Sequence, residues 1–321
     1  MTQAQTQPLS LVVESTREIA RGIHSFELED PAGAELPAFT AGAHIGLRVP
    51  TGRMRKYSLC NDPAERDRYV IAVKREESGS GGSSSLIDQV TPGDHLECTP
   101  PRNDFALSDR ATSFLFIAGG IGITPILSMV RHLKSTASAR FKLYYCTRTP
   151  EDTPFREELT GPDYRGRVVI HHDDGDPERL LDLWPLLERP TGAHVYCCGP
   201  RSMLEAVRDM TGHWSSGRVH FESFDDAAAM RTPRDRPLRV RLARTGGVVD
   251  VPADQSILEA LRAAGLVVPS SCESGTCGTC RTGLVDGQPD HRDLVLSDAE
   301  RESNIMVCVS RALSDELAID R

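Results

Sequence analysis

Four of the nine cysteines in this 321-residue chain stand at a spacing that can do chemistry. Cys272, Cys277 and Cys280 form C-x4-C-x2-C, and Cys308 follows from a separate segment. This is the plant-type spacing for a 2Fe–2S cluster, in which one short loop supplies three thiolates and a distant segment the fourth. Gly275 and Gly278 let the loop bend close to the inorganic sulfides with no Cβ in the way. The backbone N–H groups freed there can donate to sulfur and tune the potential. Four cysteines could instead hold zinc, but zinc ribbons use two C-x2-C knuckles and this chain has one.

Other groups could handle phosphate or a flat ring. Arg55-Lys56-Tyr57-Ser58 offers a planar, permanently charged fork, an aromatic face and a hydroxyl donor. The same four residues also read as an ordinary strand with Tyr57 facing inward. Val73-Lys74-Arg75 leads into a Gly/Ser run from Ser78 to Ser85. By composition that run is a flexible linker. It lies inside a strand-rich block, however, and opens a short predicted helix at Leu86–Val90. Gly81, Gly82, Ser83 and Ser84 would then present free N–H and hydroxyl donors to a phosphate.

Ala118-Gly119-Gly120-Ile121-Gly122-Ile123-Thr124-Pro125 follows a strong apolar strand and precedes a helical pattern. Thr124 is the expected N-cap, and Pro125 suits the first helical turn. Such a turn can bring a pyrophosphate to a helix N-terminus. The dinucleotide fingerprint G-x-G-x-x-G fails here, because Pro125 stands where the third glycine belongs. Cys198-Gly199-Pro200 ends a later strand. Cys60, Cys98, Cys146 and Cys197 have no evident partners and are expected to be core or surface thiols. His171 and His172 are strand neighbours on opposite faces, so they do not make a metal site together. Arg148 could serve a ribose phosphate and Asp173 a ribose hydroxyl.

Three blocks must position these residues. Short strands separated by turns fill the first, including His44–Val49, Lys56–Cys60 and Tyr69–Lys74, which fits an all-β barrel or sandwich, with an antiparallel β-barrel the expectation. From about residue 112 the rhythm changes to alternating strands and helices. The strands are Phe114–Ala118, Lys142–Cys146, Val168–His171 and His194–Cys198, with helices near 125–134, 154–160, 178–188 and 201–210. That alternation predicts an α/β domain with a parallel sheet. Residues 225–237, polar and alanine-rich with two prolines, read as a linker. The last block has a hairpin over Leu238–Val251 turning at Gly246-Gly247, then a helix at Ser256–Ala264, an α+β pattern of β-grasp type. The expected domains are 1–110, 111–224 and 238–321.

The order of barrel, α/β domain and C-terminal cysteine domain resembles the phthalate dioxygenase reductase family, which includes vanillate O-demethylase reductases. The resemblance rests on Arg55-x-Tyr57-Ser58, on Gly81-Gly82-Ser83-x-Ser85, on Gly119-Gly120-x-Gly122-x-Thr124-Pro125 and on Cys198-Gly199-Pro200. It implies FMN held by Arg55, Lys56, Tyr57, Ser58, Val73, Lys74, Arg75, Gly81, Gly82, Ser83 and Ser84. It implies NADH at Gly119, Gly120, Gly122, Thr124, Pro125, Cys198, Gly199 and Pro200, with Cys198 near the nicotinamide. Phe224 would stack near the flavin, and Ser58 would bond near its reactive nitrogen. Electrons would pass from NADH to FMN, then to the 2Fe–2S cluster, then to the terminal oxygenase of a two-component Rieske system. Alternatives are a reductase feeding another acceptor such as a cytochrome, or a non-enzymatic carrier or redox sensor.

The net charge of −9 and pI of about 5.6 argue against nucleic acid as the main partner. No run approaches the roughly 18 apolar residues of a membrane span. The N-terminal MTQAQTQPLS lacks the features of a signal peptide. The expectation is a cytoplasmic monomer. Residues 237–321 carry 13 acids against 9 bases, which would steer a basic patch on a partner.

Overall fold

The computed structural model describes residues 8–77, 79, 81–225 and 230–321. Ser78 and Ser80 of the Gly/Ser run, and 226–229 of the expected linker, lie outside the described residues. The chain divides into two compact units, Met1–Pro200 and Arg201–Arg321.

In the first unit, β1 (Leu9–Ala20), β2 (Ile23–Glu29), β3 (His44–Arg48), β4 (Met54–Ser58), β5 (Arg68–Lys74) and β6 (His95–Cys98) form one antiparallel sheet, ordered β4-β3-β6-β1-β2-β5. Its two ends meet just past β4, where Leu59 bridges to Ile71 and Cys60 N donates to Val70 O at 2.7 Å. The sheet thus closes into a barrel and leaves few open edges. Phe26, Leu28, Ile45, Leu47, Leu59 and Ile71 fill it.

Helix α1 spans Gly82–Gln89, four residues earlier than expected. Glycine and serine are weak helix formers. Here Leu86 is anchored in the barrel core. The hydroxyls of Ser84 and Ser85 donate to Gly81 O (3.2 Å) and Gly82 O (2.9 Å), so the first turn is tied to itself.

A parallel layer follows: β7 (Ser113–Gly119), α2 (Ile123–Thr136), β8 (Arg140–Thr147), α3 (Arg156–Thr160), β9 (Val168–His172), α4 (Trp184–Leu187) and β10 (His194–Cys198). Strands β10, β7, β8 and β9 lie in that order, all parallel. The order reverses between β7 and β10, and ligands of such sheets bind at that switch point. The helix expected over 178–188 is instead a 3-10 turn at Pro177–Arg179 and the short α4. Pro185 inside a longer helix would remove one hydrogen bond and clash with the carbonyl four residues back.

Barrel and parallel layer share a core in which Cys60, Val70 and Phe105 pack with Phe116, Ile126 and Met129. Two bonds from α2 reinforce it: Ser128 Oγ donates to Asn61 O at 2.8 Å, and Arg131 Nη1 to Cys60 O at 2.8 Å.

The second unit holds α5 (Arg201–Met210), β11 (Val219–Glu222), β12 (Leu238–Leu242), β13 (Val248–Val251), α6 (Ile257–Ala263), β14 (Arg281–Asp286), β15 (Pro289–Asp290), α7 (Asp298–Arg301), β16 (Asn304–Met306), β17 (Arg311–Ala312) and β18 (Glu316–Ile319). A mixed sheet runs β13-β12-β18-β14-β16, with β12 parallel to β18. The β12–β13 hairpin forms as expected. Ser256 caps α6 in a reciprocal pair with Glu259. The β15–β17 pair stands apart. No helix among the described residues is long and apolar enough to cross a membrane.

Candidate functional site

Alternation along β4 puts Arg55 and Tyr57 on one face and Lys56 on the other, where it is exposed. Arg55 reaches the start of α1. A Cβ placed on Gly82 would lie 3.1 Å from Arg55 Nε and 3.3 Å from its Cγ. A side chain at this position would push the Arg55 guanidinium away from the first turn. Gly81, the N-cap, has φ +81°, a backbone that glycine adopts without strain. No acidic residue stands in the first turn of α1. The result is a cradle of helix N–H groups beside a fixed positive fork, and this donor set fits a phosphate.

Burial pushes the Tyr57 phenol up to about 12, against a smaller opposing effect of Arg55. Tyr57 therefore stays a neutral, half-buried ring. Ser58 is 5% exposed at the strand's end. The 73–75 segment is less uniform. Val73 is buried in the barrel core, so a ligand could meet only its backbone. Lys74 pairs with Glu76 at 3.3 Å. Arg75 pairs with Asp88 on the last turn of α1, away from the cradle. Ser83 Oγ accepts from Glu76 N at 3.0 Å.

Along the glycine turn, Gly120–Gly122 form a 3-10 turn, so helical backbone begins before Thr124. Gly122, not Thr124, is the N-cap of α2. The Thr124 hydroxyl donates back to Ile121 O at 3.0 Å instead of accepting from the helix. Pro125 lies within the first turn as expected. A Cβ on Gly122 would fall 2.2 Å from Cys198 O and 2.8 Å from Gly199 N. The glycine turn after β7 and the Cys198-Gly199-Pro200 segment after β10 are thus in contact at the switch point. That crevice, with Gly120 at φ +53° and open space where its Cβ would be, fits a dinucleotide pyrophosphate beside a helix N-terminus.

At the ends of β8 and β9, His172 Nδ1 lies 2.9 Å from Thr147 Oγ1, and His171 Nε2 lies 2.7 Å from Arg179 O. The histidines serve separate neighbours. Arg148 is exposed, and Asp173 Oδ1 accepts from Gly175 N at 2.7 Å.

In the second unit the four spaced cysteines come as two pairs. Cys280 Sγ donates to Cys308 Sγ at 3.0 Å, both buried. Cys272 and Cys277 are partly exposed, and Cys272 N donates to Cys277 Sγ at 3.5 Å. Ser274 N donates to Cys272 Sγ at 3.5 Å, a backbone bond of the kind that stabilises thiolate sulfur. Hydrogen bonding from the Cys277 thiol holds Cys272 well below the usual thiol range. A Cβ on Gly275 would lie 2.8 Å from Val309 Cγ2, and its φ is +76°. A loop that only glycine can close, with amides aimed at paired sulfurs, fits a binuclear cluster. The other thiols contrast with these. Burial raises Cys60 and Cys98 to about 12 and Cys146 to about 11, and pushes Cys197 up as well. They are neutral core groups. Phe224 belongs to the second unit and is 49% exposed.

Two residues that carry this architecture were not singled out in the sequence. Asn61 spans the barrel closure, donating to Arg68 O at 2.9 Å and accepting from Val70 N at 3.0 Å. Arg292 ties the segment before β12 to the last domain, donating to Met230 O at 2.8 Å and to Asp235 at 2.6 and 3.0 Å. Burial alone would raise Asp235, but bonds from Arg292 and Thr232 hold it at about 2.

Comparison with known proteins meets this geometry. A family model described as an oxidoreductase FAD-binding domain matches residues 10–106, an oxidoreductase NAD-binding domain matches 116–209, and a 2Fe-2S iron-sulfur cluster binding domain matches 240–313. Three such domains on one chain define an NADH-dependent flavin and iron–sulfur oxidoreductase. The phthalate 4,5-dioxygenase oxygenase reductase subunit of Pseudomonas putida is 55% identical over 311 residues, covering 97% of this chain and 96% of that one. The vanillate O-demethylase oxidoreductase of Pseudomonas sp. (strain HR199 / DSM 7063) is 38% identical, with 97% and 99% covered. A solved structure of phthalate dioxygenase reductase, titled a modular structure for electron transfer from pyridine nucleotides to 2Fe-2S, is 55% identical with TM-score 0.71 and 98% of each chain covered. The chain belongs to the phthalate dioxygenase reductase family.

Proposed function

We propose that this chain is the reductase component of a two-component Rieske-type oxygenase system, with FMN as its flavin. It works as three domains, 1–110, 111–224 and 238–321, joined by a linker at 225–237. Bound in these sites, the cofactors supply hydride acceptance from NADH at the flavin and single-electron delivery through the cluster.

The chain's own residues divide the task. Arg55 and the α1 N-terminus, with Gly81, Gly82, Ser83 and Ser84, hold the FMN phosphate. Tyr57 packs against the flavin and Ser58 donates near its reactive nitrogen; Val73, Lys74 and Arg75 flank it through their backbone, while the Lys56 and Arg75 side chains face away. Gly119, Gly120, Gly122, Thr124 and Pro125 seat the NADH pyrophosphate, while Cys198-Gly199-Pro200 sets the depth of the nicotinamide. Cys272, Cys277, Cys280 and Cys308 ligate the cluster.

One observation carries this reading. Helix α2 starts at the glycine turn against Cys198, and through Ser128 and Arg131 it grips Asn61 and Cys60, just past Ser58 on β4. The flavin and nicotinamide motifs are therefore braced by one helix, as stacking of the two rings requires.

Flavin released by acid should run as FMN on chromatography; FAD would refute that choice. NADH should support cytochrome c reduction with a higher kcat/KM than NADPH. The purified chain should reduce a Rieske oxygenase and sediment as a monomer. Its buried free thiols suit the reducing cytoplasm, where we place it.

A further inference from the structure

In the second unit, one buried acid has no part in the scheme above. The Asp293 side chain has 0% exposure. Its Oδ1 accepts from Val295 N at 3.0 Å and Leu296 N at 2.7 Å. Its Oδ2 is buried without a hydrogen-bond partner, as are His291 Nδ1 and Arg301 Nε. Oδ2 stands 3.7 Å from His291 Nδ1 and 3.7 Å from Arg301 Nη2, too far for direct bonds. Arg301 Nη2 donates instead to the Asp293 carbonyl at 2.8 Å. A buried carboxylate oxygen left without a hydrogen-bond partner is destabilising. Buried water commonly settles such an account by making about three bonds to groups arranged like these.

The turn that Asp293 pins is also the wall of the cluster loop. A Cβ on Gly275 would lie 3.2 Å from Asp293 Cα, and one on Gly278 would lie 3.5 Å from Val295 Cγ1. Leu294 N donates to Gly275 O at 3.0 Å. Leu296 packs in the same core as Cys280 and Cys308. Both left-handed glycines of the loop thus rest on the 293–296 turn.

We propose that Asp293 is a positioning residue for the cluster. With His291 and Arg301 it holds one buried water, and through the 293–296 turn it fixes the Cys272–Cys280 loop and places a buried negative charge behind it. A fixed anion opposes addition of an electron nearby, and the Arg301 guanidinium opposes that effect. The proposal rests on the cluster reading, and the experiment separates the two.

The test uses the full-length protein with its cluster, in redox titrations read by electron paramagnetic resonance, alongside iron assays. Asp293→Asn keeps an oxygen for the Val295 and Leu296 amides and removes the charge; its midpoint potential should rise with iron content unchanged. Arg301→Gln should lower the potential. Asp320→Asn, at an exposed carboxylate paired with Arg244, should leave it unchanged. Unmoved potentials in both variants, or shifts of the same sign, overturn the proposal. If Asp293→Asn loses its cluster, Arg301→Gln decides alone, and a potential unchanged or raised overturns it. A crystal structure should show a water bonded to Asp293 Oδ2, and a dry gap would remove that part. Iron-free wild-type protein would instead sink the cluster reading itself.

Discussion

The cluster loop and the flavin–nicotinamide site solve the same problem, holding a redox group at short range, in opposite ways. The loop is local. Three of its four proposed ligands fall within Cys272–Cys280, and its shape is set by two glycines at φ +76° and +81°. The other site is assembled at a distance. Arg55 meets Gly82, Gly122 meets Cys198, and Asn61 meets Ser128, contacts between segments far apart in sequence. A local site reveals itself by spacing and fails all at once. An assembled site is hidden in sequence, and its parts should fail separately.

The largest effect should come from the local site. Cys280→Ser should abolish reduction of cytochrome c, with iron content falling, while NADH-driven ferricyanide reduction at the flavin stays near wild type. Steady-state assays with the two acceptors check this. Loss of both activities together would mean the sites are not separable.

Next is Gly122→Ala. Its Cβ would sit 2.2 Å from a backbone carbonyl, and backbone cannot swing aside as a side chain can. Overpacking of this kind costs about 1–3 kcal/mol or more. The melting temperature should fall and the KM for NADH rise, with the flavin and iron content of the folded protein unchanged.

Arg55→Ala would remove the proposed charge-assisted phosphate contact, of a kind worth about 1.5–3 kcal/mol. Flavin affinity should weaken by roughly 10- to 100-fold on that scale, measured by fluorescence as free flavin binds. Lys56→Ala, on the opposite face of β4, should change it little. An equal loss at both positions would break the assignment of that face.

The smallest effect concerns the Arg292–Asp235 tie. Asp235 is held at about 2, below its ordinary value of 3.8. The tie therefore contributes fully above about pH 4, the ordinary carboxyl range, and is lost as pH falls through the folded value. Protease cleavage near residues 230–237 should accelerate over that window in the wild type. Asp235→Asn should show fast cleavage at pH 7 with little further change on acidification.

The same contrast explains what the sequence disclosed. The cysteine spacing, the β12–β13 hairpin and the parallel strands were legible because each depends on neighbours in the chain. Arg55, Tyr57 and Gly122 could be named as residues, but their partners could not, since nothing local links residue 55 to 82 or 122 to 198. Thr124 read as an N-cap because the 3-10 turn that starts the helix early leaves no mark in composition. The start of α1 was hidden for a related reason: Leu86 buried in the barrel outweighs the poor propensity of Gly82 and the serines. Asp293 and Arg292 carry no signal in sequence beyond standing in the polar run Asp290-His291-Arg292-Asp293. Their importance comes from burial, which charge patterns alone do not report.

The central claim is that electrons enter at the flavin and leave through the cluster. It is tested most directly by stripping flavin from the holoprotein while keeping the cluster, then adding NADH without oxygen and following the cluster by electron paramagnetic resonance. The account predicts a cluster that stays oxidised with NADH, is reduced by dithionite, and responds to NADH again once FMN is restored. Reduction of the cluster by NADH in the flavin-free protein would contradict it.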